Sequence, residues 1–162
     1  MNQIIIREIK DSDNTQIAEV IRKVLVDFNV PKEGSAYSDS ALENMTEAYS
    51  GEKRTYYVVV EDETVLGGGG IAPLDNYSGN VCELQKMYML EAVRGKGIGK
   101  KLIHLCLQKA REFNYDGCYL ETMPNMLVAQ KIYQHLGFEY IDSPMGDTGH
   151  CACPVWMFKD FR

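Results

Sequence analysis

The chain has 162 residues, 45% of them hydrophobic and 25% charged, with a formal net charge of −6. That length and composition suit one domain, residues 1–162, with a full hydrophobic core. The negative balance argues against nonspecific nucleic-acid binding, which needs a broad basic surface, and no apolar run approaches the roughly 20 residues of a membrane span.

The N-terminus, Met1-Asn2-Gln3-Ile4-Ile5-Ile6-Arg7, lacks a charged leader, a long apolar core and a cleavage site. It reads as a first strand, Gln3–Ile9, and not as a signal peptide. Asp11-Ser12-Asp13-Asn14 offers N-cap residues, and Ile17, Val20, Ile21, Val24 and Leu25 then recur at helical spacing to about Phe28. Asn29–Ser40, with Pro31 and Gly34, reads as a loop, and Asp39–Tyr49 as a short second helix. Arg54–Glu61 and Thr64–Ala72 are strands around the turn Glu61-Asp62-Glu63, a hairpin by spacing. After them the pattern predicts strand Val81–Leu90, helix Gly97–Phe113, strand Gly117–Thr122, helix Met126–Leu136, and strands Phe138–Ile141 and Pro154–Phe158. Antiparallel strands followed by β-α-β-α-β make an α/β (α+β) layout around one mixed sheet.

Five cysteines, Cys82, Cys106, Cys118, Cys151 and Cys153, are an odd number without framework spacing, which points to a reducing, cytoplasmic setting. His150-Cys151-Ala152-Cys153 raises a metal, but one His and two Cys leave no clear fourth ligand nearby, and no metal is expected.

The most informative stretch is Arg94-Gly95-Lys96-Gly97-Ile98-Gly99, followed by Lys100 and Lys101. A strand leads into it and an amphipathic helix leaves it, with Ile98, Leu102, Leu105, Cys106, Ala110 and Phe113 on one face. Glycines let backbone N–H groups approach phosphate oxygens, and a helix start without a side-chain cap adds free donors and the positive end of its dipole. The clustered cations oppose the global charge, so the expected ligand is phosphorylated. G-x-x-x-x-G-K-[ST] does not occur. Gly67-Gly68-Gly69-Gly70-Ile71-Ala72 matches a loose dinucleotide pattern, but Pro73-Leu74-Asp75-Asn76-Tyr77 follows where a helix is required. Those glycines read instead as a strand that bends or is closely approached.

Glu83-Leu84-Gln85-Lys86-Met87-Tyr88-Met89, the Arg94, Gly97, Gly99 spacing, and the later Asn125, Ala129, Tyr133, Gly137, Phe138 element together resemble the GNAT family of N-acetyltransferases. The resemblance is strongest over Val81–Ile141. It implies a mostly antiparallel central sheet, flanked by helices, whose two central parallel strands splay apart. It also implies acetyl-CoA as cosubstrate. The pyrophosphate would lie on Arg94, Gly95, Lys96, Gly97, Ile98, Gly99 and Lys100, with pantetheine between the strands Val81–Leu90 and Gly117–Thr122. Met87, Tyr88 and Met89 would supply amide contacts at a bulge, and Asn125 would bind pantetheine or cap the helix.

Transfer to an amine calls for a base, because an alkyl ammonium is not nucleophilic, and for an acid at the departing thiolate. Tyr133, sharing a helical stripe with Asn125 and Ala129, is the candidate acid. Glu83, a carboxylate within a buried strand, is the candidate base, with Glu121 second and His150 third. A solvent-facing or structural Glu83 remains the alternative. Cys118 raises a covalent route, but direct attack in a ternary complex is simpler. The acceptor, a small amine, amino acid or peptide, would meet Tyr37, Asp39, Asp75, Asn76 and Tyr77 on the flanking loops. A non-catalytic acyl-CoA sensor, or an acyltransferase with another donor, stays open. So does a homodimer, frequent in the family but marked by no stretch of this chain.

Overall fold

The computed structural model describes residues 3–162. Seven strands among them form one sheet: β1 (Ile4–Glu8), β2 (Thr55–Glu61), β3 (Thr64–Pro73), β4 (Val81–Met89), β5 (Gly117–Thr122), β6 (Glu139–Ile141) and β7 (Val155–Asp160). The spatial order is β1-β2-β3-β4-β5-β7-β6, and every pairing is antiparallel except β4 with β5. The β2–β3 hairpin turns on Asp62 and Glu63, both with positive φ, in the sense that matches the strands' twist.

Helices cover both faces. On one, α3 (Ile98–Glu112) packs Leu102, Cys106 and Ala110 onto Val59, Ile71, Cys82 and Leu84. On the other, α1 (Asn14–Asp27) and the single turn α2 (Met45–Ala48) pack Ile17, Ile21, Val24 and Met45 onto Tyr56, Val58 and Val60. Burial on both faces explains why β2 is continuously apolar instead of alternating. The expected helix over Asp39–Tyr49 is broken. A 3-10 turn, Ser40–Glu43, and α2 meet at Asn44, whose non-helical backbone and side-chain bond from the Glu47 amide restart the helix there.

β4 carries one surplus residue. Gln85 pairs with Gly70 and Tyr88 with Gly68, so Lys86 and Met87 together stand opposite Gly69. Lys86 takes φ of 50°, a left-handed value unusual for a lysine. The bulge reverses the alternation: Met87 and Met89 join Cys82 and Leu84 against α3, whereas Tyr88 joins the α1 side.

The glycines of β3 accommodate what crosses them. A Cβ on Gly69 would collide with the Met87 thioether, and on Gly67 with Met89. On the opposite face the Tyr56 ring lies across Gly68 and Gly70, and its hydroxyl donates to the Lys86 carbonyl at 2.7 Å, pinning the bulge. A methyl at position 68 would sit 2.6 Å from the Tyr56 ring and 2.7 Å from the Tyr57 carbonyl oxygen. Gly68→Ala should therefore cost about 1–3 kcal/mol by overpacking, read as a lower urea midpoint. An unchanged midpoint would show that the tyrosine does not need the bare strand.

Candidate active site

β4 and β5 are bonded only over Val81–Glu83 and Gly117–Tyr119. Beyond Glu83 they part, and β4 runs on with no strand on that side. The divergence and the bulge open a cleft in the middle of the sheet.

At the far end of β4 the chain reverses into α3. Gly95 and Gly97 have φ of 77° and 76°, and a Cβ on either would meet nothing within 4 Å. Glycine is needed there for the sign of φ, and the space over the turn is open. Gly97 is the N-cap and offers no side-chain acceptor, so the first-turn amides face outward, ringed by exposed Lys96, Lys100 and Lys101. Such an arrangement is chemically suited to an anion such as a pyrophosphate. Ile98 is different: its side chain is core, leaving only its main chain to the turn. Gly99 lies close under Met89, and Arg94 donates to the Met89 carbonyl at 2.9 Å while stacking over Phe28.

Tyr133 projects from α4 (Leu127–His135), 5% exposed and edge-on to Phe138. Its hydroxyl makes no bond to the described residues, yet no side-chain polar atom is both buried and unpaired, so the oxygen reaches accessible space. Burial pushes its pKa well up, which keeps the phenol protonated. Asn125 is not on this helix: α4 begins two residues later with Met126 as its uncapped N-cap, and the Asn125 amide donates to the Phe28 carbonyl, tying this segment to the end of α1.

Glu83 is 5% exposed on the α1 side of β4. Gln85 donates to it at 2.7 Å, and the buried Tyr49 donates to Gln85 at 2.6 Å. Burial lifts the carboxyl to about 7; the Gln85 bond pulls it down, Glu121 pushes it up, and His150 and Lys86 pull it down. Glu121, fed by the Tyr119 and Thr148 hydroxyls, lies with Glu83 and His150 in a group whose polar atoms fall within 4.8 Å of one another. Two carboxylates and an imidazole are a donor set for a cation, but His150 and Glu121 already have protein partners. Neither Cys151 nor Cys153 belongs to such a group among the described residues.

His150 was the weakest candidate by sequence, and its setting is the least foreseeable. Its Nε2 donates to Asp39 at 2.9 Å, and Lys86 meets the same carboxylate at 2.9 Å. Burial pulls the imidazole down, but the Asp39 bond and charge outweigh it and hold its pKa above the ordinary value. Burial pushes Asp39 up, and His150 and Lys86 together bring it below the ordinary carboxylate range. These groups surround a cavity of about 260 Å³ that Asp39, Asp75, Glu83, Lys86 and His150 line. Tyr37, expected to meet the acceptor, does not line it; its ring is occupied by Lys32 at 4.9 Å and Arg22 at 5.5 Å. Arg54, Tyr49, Gln85, Lys86 and Thr148 were not anticipated; only the Lys86 and Gln85 positions, inside the recognised strand, carried any signal.

The model of the acetyltransferase (GNAT) family matches residues 20–138. The chain is 42% identical over 157 residues to the uncharacterized N-acetyltransferase YjgM of Escherichia coli K12, covering 96% of this chain and 94% of that one. In fold it is similar to a GNAT-family acetyltransferase of Staphylococcus aureus Mu50, with TM-score 0.85 at 24% identity over 99% of this chain and 100% of the other. It is also similar to an acetyltransferase of Salmonella typhimurium solved with its cofactor acetyl-CoA, with TM-score 0.78 at 17% identity over 99% and 95%.

The His150–Asp39 pair couples stability to pH. The free imidazole titrates near 6.5 and the folded one higher, so the pair stabilises fully below about pH 6.5 and the contribution is lost as pH rises through the folded value. Urea unfolding of wild type and His150→Gln should differ most near pH ~6 and converge toward pH ~9; a gap independent of pH would mean the imidazole is not charged.

Proposed function

The chain belongs to the acetyltransferase (GNAT) family of N-acetyltransferases, and from that premise we propose that it moves the acetyl group of acetyl-CoA to the primary amine of a small acceptor by direct attack in a ternary complex. One observation carries the reading: an uncapped, glycine-turned helix start and a buried carboxylate of raised pKa lie at opposite ends of the same split strand. The whole chain, residues 1–162, is read as the one catalytic domain. A cytoplasmic setting is supported by five free cysteines, and no helix among the described residues is long and apolar enough to cross a membrane.

In this reading the amides and lysines of Arg94–Lys100 hold the pyrophosphate, and the free edge of β4 at Met87, Tyr88 and Met89 lines the pantetheine arm. Glu83 takes a proton from the incoming ammonium, directly or through water; a carboxyl poised near 7 is both available and basic enough at neutral pH. Tyr133 gives its proton to the departing sulfur. Cys118 is unsuited to an acyl-enzyme route, since it is fully buried and burial raises its pKa far above that of a reactive thiol.

Calorimetry with acetyl-CoA, followed by thiol release across a panel of amines, tests the whole. Gly97→Glu should bind acetyl-CoA far more weakly, because a side chain is strained at φ of 76° and its charge repels phosphate; retained affinity would remove the anion site. In kcat/KM, a limb with apparent pKa of about 7 should vanish in Glu83→Gln, with an overall loss of about 100-fold or more. Tyr133→Phe should lower kcat with acetyl-CoA affinity retained. A limb that survives in Glu83→Gln would transfer the base role elsewhere.

A further inference from the structure

The cavity is lined by a cation that no carboxylate among the described residues neutralises. Lys86 and His150 both spend their charge on Asp39. Arg54, which lines the same cavity, meets no carboxylate among the described residues. Its donors reach only two main-chain carbonyls, Ala48 at 3.4 Å and Glu52 at 3.5 Å, both longer than a good N–H···O bond. The guanidinium extends over Gly51, where a Cβ would stand 3.2 Å from Nε.

Two carboxyl groups that line the same cavity also lack a cation partner among the described residues. Glu83 has no cation in direct contact, and Asp75 forms no ion pair among the described residues. Tyr49 lies within the reach of both signs. Burial raises its pKa, Glu83 and Asp39 raise it further, and Arg54 opposes them. A neutral amine would satisfy one side and leave the guanidinium without a partner. A dipolar ligand satisfies both, and a guanidinium fork matches a carboxylate in geometry as well as charge. The cavity, about 260 Å³, falls just below the usual ligand range of roughly 300–1,000 Å³, which favours a free small molecule over a polymer.

We infer that the acceptor carries a carboxylate beside its amine, as a free amino acid does, and that Arg54 holds that carboxylate while the ammonium faces Glu83 and Asp75. The inference rests on the acetyl-transfer reading above and names the substrate class of that site.

The test is thiol-release kinetics with acetyl-CoA on amino acids and their matched primary amides, in wild type, Arg54→Gln and Arg54→Lys, with acetyl-CoA calorimetry reporting that each variant is folded. Wild type should favour the acids by about 10-fold or more in kcat/KM, the scale of one charged hydrogen-bonded contact. Arg54→Gln should bring the acid-to-amide ratio near one, chiefly through KM, and Arg54→Lys should keep part of the preference. Amides equal to acids in wild type, or an undiminished ratio in Arg54→Gln, overturns the carboxylate subsite and leaves acetyl transfer standing. Acetyl-CoA binding with no thiol release from any amine overturns the transfer reading and this inference with it.

Discussion

A single surplus residue in β4 is the constraint on which the rest of the molecule turns. With Lys86 and Met87 both facing Gly69, every side chain beyond them changes face. Glu83, Gln85 and Lys86 are left lining the cavity with Asp39 and His150, while Met87 and Met89 turn toward α3. A left-handed lysine is an unfavourable way to build this, and it persists because its surroundings determine it: the Tyr56 hydroxyl holds the Lys86 carbonyl, Asp39 holds the Lys86 ammonium, and bare glycines let Tyr56 and Met87 lie flat on β3 from opposite faces. Four glycines in a central strand would ordinarily weaken it; here they are the floor for the aromatic and thioether contacts that shape the cleft.

Two carboxylates, Asp39 and Glu83, line the same cavity and are driven in opposite directions. Burial raises both. Asp39 receives two cations in direct contact and stays ionised, whereas Glu83 receives only the amide of Gln85 and is further disfavoured by Glu121. Environment thus separates a structural anion from one that can exchange a proton near neutrality. The same reasoning weighs against His150 as the base in the proposed reaction. Its Nε2–H is committed to Asp39 and its pKa is raised, so at neutral pH it is more a charge that steadies the pocket than an acceptor for a proton.

What could be read in the chain was what is local. The span Gly117–Thr122 matches β5 residue for residue, and Gly97–Phe113 differs from α3 by one residue at each end, because apolar periodicity and glycine turns are short-range signals. The Tyr133 candidate came from motif spacing and Glu83 from a carboxylate inside a buried strand; the structure buries both, with Glu83 lining the cavity and Tyr133 packed on the α3 side. The helix across Asp39–Tyr49 failed because Asn44 prefers to cap over propagating, a competition that periodicity does not register. Asn125, read as sharing a stripe with Ala129 and Tyr133 or capping their helix, lies two residues before α4, whose N-cap is Met126. The Asp39–His150 pair was out of reach, because its partners are 111 residues apart in sequence and no pattern links them.

That contrast has a functional consequence. The donor side is built from one continuous stretch, the end of β4, the glycine turn and the first turn of α3. The acceptor side is assembled from segments far apart: Asp39 and Arg54 before β2, Asp75 after β3, and Thr148 and His150 from the crossing segment before β7. That crossing is tied to the other segments by its own bonds, Asp147 to the Asp75 carbonyl, Ala152 to the Gly34 carbonyl and Thr148 to Glu121. Each loop can change its side chains without disturbing the turn proposed to hold a pyrophosphate, so one scaffold could keep its donor and vary its acceptor. An arginine without a carboxylate partner among the described residues is then more informative about this protein than the glycines, because the glycines follow from the fold, and nothing in the fold requires such a guanidinium on the cavity that Glu83 lines.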